Sequence, residues 1–324
     1  MMLVYRASVK IGIALSSGGA AGLAHVGVIE ELIAAGIRID CAAGTSAGAM
    51  VGAAWAADHL DGFRKTMCAL TRRNVFSLFD PTWPRTGLLE GRRPLDLIRP
   101  YIGETIESLP HPFAVVATEL SSGKEVVLRK GSVALAVRAS AAVPGLLTPE
   151  SVDGRVLADG GLVNPIPVDV ARSLGADFVI AVSVLGVSDQ IVPDEPEQVA
   201  QGLAAQWLAK LFPPEEPAGA EEAIQVPKDQ SRAVDDLGLI EIMSRASRIV
   251  QARLAEERLR SNPPEALIRI PLTGISLFEL HRSAEAIEAG RKAARLALPA
   301  ILSSLEEASS FPGRVSRWLR PASS

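Results

Sequence analysis

Five residues, Gly44-Thr45-Ser46-Ala47-Gly48, constrain this chain more than any other stretch of it. They spell G-x-S-x-G, and their neighbours give that spacing a mechanical meaning. Ile39 to Ala43 reads as a short strand, and the Ala-rich stretch Ala49 to Ala57 reads as a helix. A serine on a tight strand-to-helix turn is thrust out of the backbone above the first turn of helix. A glycine on either side lets another chain or a ligand come close to its hydroxyl. With Gly and Ser each near ~7% of residues, chance supplies the pattern only roughly 0.1 times in a chain this long. The bland alternative is a glycine-rich packing turn with no chemistry.

A second strand–loop–helix precedes the first. Lys10 to Leu15 is an apolar strand that runs into Ser16-Ser17-Gly18-Gly19-Ala20-Ala21-Gly22, and Leu23 to Ala35 carries apolar residues at helical spacing. A glycine-rich loop at a helix N-terminus gathers free backbone N–H groups at the positive end of a dipole, which suits a phosphate or a developing oxyanion. The phosphate reading fails on detail. No Lys-Ser/Thr ending marks a P-loop, and Ser17 stands where a dinucleotide fold needs its first glycine. Asp40 begins its strand rather than ending it, so it is not placed to hold a ribose. With a serine elbow following, the oxyanion reading prevails.

The third piece is Asp159-Gly160-Gly161. Asp153-Gly154 is a strong two-residue hairpin turn, so the second hairpin strand ends at Asp159, with a glycine pair leaving its carboxylate uncrowded. Asp153 is turn chemistry; Asp159 is a carboxylate held at a strand end.

Together these residues resemble the patatin-like phospholipases, and within them the short bacterial, RssA-like members. The likeness extends to His25-Val26-Gly27-Val28, Arg138-Ala139-Ser140, Pro144-Gly145 and Val163-Asn164-Pro165-Ile166-Pro167. It covers residues 8 to 185 well and Ile275 to Gly290 more loosely. The resemblance implies a Ser–Asp dyad that cleaves acyl esters of phospholipids or lysophospholipids, with no cofactor and no metal. Carried over, Ser46 is the nucleophile and Asp159 its proton acceptor. The N–H groups of Gly18, Gly19 and Ala20 form the oxyanion hole, and Gly22, Gly44, Gly48, Gly160 and Gly161 complete the motifs. One departure stands out: Ala21 occupies the place of a basic residue and Ser17 that of a glycine. Backbone donors survive this change, and each is worth roughly 3–4 kcal/mol in a comparable site. The lost cation keeps open a regulatory or lipid-binding protein with little chemistry. Acyl transfer to an acceptor other than water also stays open.

Four histidines test the dyad: His25, His59, His111 and His281. A hydrolase triad runs Ser, acid, His, so only His281 follows Asp159, and its place at the start of an amphipathic helix favours a solvated or capping role. His25, beside the glycine loop, reads as a packing or hydrogen-bonding residue. No metal-ligand spacing occurs. A buried carboxylate base has a raised pKa, so activity is expected to rise through an acid limb belonging to Asp159.

Composition frames the rest. A length of 324 residues suggests about two domains, but with 48% hydrophobic residues a single large α/β domain fits as well. A formal charge of −4 gives no basic field for nucleic acid. Cys41 and Cys68 read as buried free thiols of a reducing compartment. Met1 to Lys10 lacks a signal-peptide core, and the uncharged run Cys41 to Ala57 is too short and Gly-rich to span a bilayer, so a cytoplasmic protein is expected. Phe113 to Thr118 and Glu125 to Leu128 read as strands, Val133 to Ala142 as a helix, and Asp177 to Val184 as a strand buried on both faces. The alternation argues a three-layer α/β/α sandwich with a mainly parallel central sheet and its ligand crevice beyond the carboxyl ends of the strands. Residues 1–185 form the catalytic core. Residues 186–236, acidic and Pro-rich, read as a solvated linker or as a lid carrying the patch Trp207 to Phe212. Residues 237–310 complete the domain with the helix Leu237 to Arg260, the strand Ala266 to Ile270 and helices through Leu305. The basic tail 311–324 has Phe311, Val315, Trp318 and Leu319 at helical spacing. It packs on its own domain, stays disordered, or makes peripheral contact with the inner membrane surface, which a lipid substrate favours. Oligomeric state is not legible.

Overall fold

A computed structural model describes residues 9–82, 87–186, 239–272 and 274–310. In chain order the elements are β1 Ile11–Leu15, α1 Ala24–Ala34, β2 Cys41–Thr45, α2 Ala47–Ala56, α3 Leu60–Cys68, α4 Arg72–Ser77 and α5 Arg92–Ile98. There follow β3 Phe113–Glu119, β4 Glu125–Leu128, α6 Val133–Ser140, β5 Glu150–Val152, β6 Arg155–Asp159, α7 Val168–Ser173 and β7 Phe178–Ser183. Beyond residue 238 come α8 Leu239–Ser261, β8 Ala266–Arg269 and α9 Ser283–Ser310.

The strands form one sheet in the order β5-β6-β3-β2-β1-β7-β8, with β4 also paired to β3. β3, β2, β1, β7 and β8 run parallel, whereas β4 and β6 are antiparallel to β3. Side chains alternate across the sheet as the pleat requires. Ile11, Ile13 and Leu15, with Phe178, Ile180 and Val182, face a core built with α1, α2, α3 and α9. Ala14, Ala43, Ala114, Val179 and Ala181 face α7 and the C-terminal part of α8. Helices thus cover both faces, giving the three-layer sandwich. Small residues on the second face let α7 lie close to the sheet.

Local differences from the sequence reading have physical causes. β2 starts at Cys41 rather than Ile39, because Asp40 is spent bracketing β1: its carboxylate accepts the Ile11 N–H at 2.9 Å and its own N–H donates to the Ile11 carbonyl at 2.7 Å. α2 begins directly after Ser46, two residues earlier than expected. α6 stops at Ser140 rather than Ala142, whose carbonyl accepts the Asp159 N–H at 2.9 Å. Cys41 is buried, but Cys68 is exposed at the end of α3, which corrects the expectation of two buried thiols. The Asp153-Gly154 turn has φ 49° and 74°, the left-handed pair a two-residue hairpin needs. The linker or lid from residue 187 onward and the basic tail lie outside the described residues. Among those described, no helix is long and apolar enough to cross a membrane.

Candidate active site

Ser46 sits between β2 and α2 with φ 55° and ψ −117°, a conformation a residue with a side chain rarely adopts. Such strain, on the order of 1–3 kcal/mol, persists only where the surroundings enforce it. Three contacts do so. The Ser46 N–H donates to Ser140 Oγ at 2.7 Å, and that hydroxyl donates onward to the Val116 carbonyl at 2.6 Å. Thr45 Oγ1 donates to the Asn164 carbonyl at 2.8 Å. The first turn of α2 presses on the end of β1 so closely that a Cβ on Gly48 would lie 2.2 Å from the Leu15 carbonyl oxygen. Ser140 was not singled out for a role in the sequence. Its only signal was a lone hydroxyl closing an apolar helix within Arg138-Ala139-Ser140.

Asp159 reaches the serine through sheet register. Thr45 lies opposite Val116 on β3, and Asp159 lies opposite Ala117. Consecutive residues of one strand therefore bring the ends of β2 and β6 together. Thr118 Oγ1 donates to the Asp159 carbonyl at 2.8 Å and fixes its backbone. The carboxylate is 1% exposed. Oδ1 accepts the Gly161 N–H at 2.6 Å, while Oδ2 is buried without a hydrogen bond of ordinary geometry. Burial pushes its pKa from 3.8 up to about 6, against the smaller lowering effects of the Gly161 N–H and the Ser46 hydroxyl.

The glycine loop faces the serine from the end of β1. The Ser16 and Ser17 N–H groups are taken by the Val182 and Pro165 carbonyls. His25 is fully buried and donates from Nε2 to the Ser16 carbonyl at 2.8 Å; burial drops its pKa to about 4, so the ring is neutral. Gly18 (φ 154°) and Gly19 (φ 57°) then turn through left-handed conformations that favour glycine. Their N–H groups make no hydrogen bond among the described residues. Ala20 differs from the sequence expectation: its N–H donates to the Leu277 carbonyl at 3.1 Å, so the expected trio of donors narrows to Gly18 and Gly19. Ala21 is buried, and Gly22 packs on Ala47 at the start of α2.

Two cavities meet at Ser46. The larger, about 140 Å³, is walled by apolar side chains including Met50, Leu78, Phe79, Leu95, Val137 and Phe278. Arg138 also borders it, buried and tied to the Glu90 and Thr148 carbonyls. The smaller, about 20 Å³, holds Asp159 and the polar side chains Ser244, Ser247 and Gln251 of α8. No histidine borders either one. His281 lies in the turn Leu280–Arg282, its pKa lowered by burial and then by Arg72. His111 stacks on Trp55 and pairs with Asp58. No cluster of His, Cys, Asp and Glu among the described residues has the makings of a metal site. The arrangement sets a hydroxyl, a buried carboxylate and two backbone N–H groups without partners among the described residues beside an apolar slot.

The patatin-like phospholipase family profile matches residues 13–172, which contain the glycine loop, the elbow and the Asp-Gly-Gly turn. An uncharacterised NTE family protein of Mycobacterium tuberculosis is 34% identical over 341 aligned positions, covering 90% of this chain and 92% of that one. Patatin-like phospholipase domain-containing protein 6 of Mus musculus is 34% identical over 205 positions, 61% of this chain and 15% of that protein. Among solved structures, VipD from Legionella pneumophila aligns with 91% of this chain and 68% of its own at a TM-score of 0.43 and 14% identity. With the profile lying over all three motifs and a near-full-length relative at this identity, the chain belongs to the patatin-like phospholipase family.

Proposed function

We propose that this protein is a serine hydrolase of lipid acyl esters, phospholipase or lysophospholipase in type, with Ser46 as nucleophile and Asp159 as its base. The observation that carries the reading is a fully buried carboxylate, its pKa raised to about 6, beside a strained serine that opens onto an apolar cavity. A base with that pKa is ionised at neutral pH yet basic enough to take a proton. Asp159 accepts the Ser46 proton as Oγ attacks the ester carbonyl, and the oxyanion that forms is met by the Gly18 and Gly19 N–H groups. Collapse expels the alcohol, which takes the proton back from Asp159. Water, deprotonated by the same carboxylate, then releases the fatty acid from Ser46. The acyl chain lies in the apolar cavity. Ala21 supplies no cation to the loop, and the two backbone donors carry the charge stabilisation without it.

Turnover of lysophospholipid and short-chain p-nitrophenyl esters tests this reading. Ser46→Ala and Asp159→Asn are each expected to lose at least about a thousandfold in kcat, the scale of losing a member of a nucleophile–base unit. Wild-type turnover in either variant rejects the dyad. Ala21 favours a second reading, a lipid-binding protein with an inert serine. A folded wild-type protein that binds lysophospholipid but releases no fatty acid would select it.

A further inference from the structure

Outside the stretch that the family profile matches, one side chain touches both halves of the site. Gln251 lies on α8 and is buried. Its Oε1 accepts the Ser17 hydroxyl at 2.5 Å, and its Nε2 donates to Ser247 Oγ at 3.0 Å. Its amide also lies against Gly161, where a Cβ would come within 2.6 Å of Gln251 Cδ. Ser17 is the residue before the Gly18 and Gly19 donors, and Gly161 is the residue whose N–H holds Asp159 Oδ1. α8 changes character as it passes this point: Ser244, Ser247 and Gln251 border the small cavity beside Ser46 and Asp159, whereas Ala252, Ala255 and Leu259 further along are core. A buried amide is costly unless its polar atoms are bonded, so this one specifies where the helix docks.

We propose that Gln251 is a positioning residue that ties the glycine loop, through Ser17, to the Asp159–Gly161 turn, and thereby fixes the oxyanion donors relative to the base. The proposal rests on the Ser46–Asp159 reading. Glycines at positive φ leave a loop with few intrinsic restraints. The backbone bonds of Ser16, Ser17 and Ala20 and the His25 bond hold the loop to its surroundings, and Ser17 Oγ adds the side-chain bond that reaches across to α8. Loss of that bond lets the donors drift while the acyl cavity stays intact, a change felt in the transition state more than in substrate binding.

The test uses the full chain with Gln251→Leu, Ser17→Ala and the double variant, p-nitrophenyl butyrate as substrate and a fluorophosphonate as serine probe. Each single variant is expected to lose about tenfold in kcat and in labelling rate, with KM within about twofold, because small misplacements of reacting groups cost this much or more. The double variant should be no worse than the poorer single, since both remove one bond. Amide hydrogen exchange in the peptide spanning residues 14–23 should quicken in all three. Gln251→Glu keeps an acceptor for Ser17 and should restore slow exchange. Its new charge, in a cavity whose other charged side chains among the described residues are Asp159 and Arg248, should move the acid limb of kcat to higher pH. If Gln251→Leu does not fold, Ser17→Ala tests the other end of the same bond. Wild-type kcat and unchanged exchange in the single variants overturn the proposal, as do losses that multiply in the double. Labelled wild type with an undisturbed Gln251→Leu sinks the clamp alone. An unlabelled wild type sinks the dyad and the clamp's catalytic role together.

Discussion

Ser46 and Asp159 each occupy a place that an isolated residue of its kind would avoid, and both costs should be measurable. Ser46→Gly removes the strain at φ 55°, of order 1–3 kcal/mol, against the extra chain entropy of a glycine of roughly 0.5–1 kcal/mol. It should therefore melt above Ser46→Ala, which keeps the strain, while both variants are inactive; an equal melting temperature would mean the elbow is unstrained. Asp159 makes a pH-dependent cost. Its folded pKa of about 6 exceeds the ordinary carboxylate value of 3.8, so between those values the folded state binds more protons than the unfolded one. Stability then falls as pH rises through this window, by about 3 kcal/mol in total. Asp159→Asn, which can still accept the Gly161 N–H, escapes that loss. It should be more stable than wild type at pH 8, with the gap closing as pH falls through 6 toward 4. A gap that does not vary with pH contradicts the raised pKa. With Asp159 as the proposed base, the same titration should set the acid limb of activity near pH 6, too close to an ordinary histidine to assign by position, so His281→Ala decides. It should keep most of its turnover.

At the scale of elements, what the sequence made legible was local. The β1 loop, the β2 elbow and the β5–β6 hairpin each announce themselves through an apolar run followed by glycines, because the glycine requirement arises within a few residues. α4 and α5 are not legible in the same way, since their short helical stretches wall a cavity whose other side comes from α6 and residues 277–280. Ala20 illustrates the same limit: sequence places its N–H in the loop, but the Leu277 carbonyl that occupies it comes from more than 250 residues away. The roles of Ser140 and Gln251 are hidden in the sequence for this reason too. Each is one polar residue on a helix, and only the packed sheet brings it to Ser46 or Ser17. Ser140→Ala should strip the Ser46 N–H of its partner and leave the Val116 carbonyl without its donor, a loss of about 1–3 kcal/mol of stability. Because the elbow then relaxes, kcat should fall at least about tenfold with little change in KM; unchanged kcat in a folded Ser140→Ala protein would remove Ser140 from the elbow's support.

Across the whole molecule, the site is assembled from parts far apart in the chain. β8 extends the sheet beside β7, α9 packs on α1 through the Arg291–Glu30 and Arg295–Glu31 pairs, and α8 closes the small cavity. Residues 239–310 are therefore structural partners of the loop, the elbow and the Asp-Gly-Gly turn. The sequence conveyed that order of motifs and the α/β sandwich, because strand and helix periodicities are written into single segments. It did not convey which late helix would face the serine, because that choice depends on burial across the sheet. Covalent labelling tests most directly the proposed role of Ser46 as a nucleophile made reactive by Asp159. A fluorophosphonate should add once to the folded wild-type protein, and peptide mass mapping should place the adduct on Ser46. Asp159→Asn should label at least about a hundredfold more slowly, and Ser46→Ala should not label at all. No adduct on folded wild type, an adduct on another residue, or Asp159→Asn labelling at the wild-type rate would contradict it.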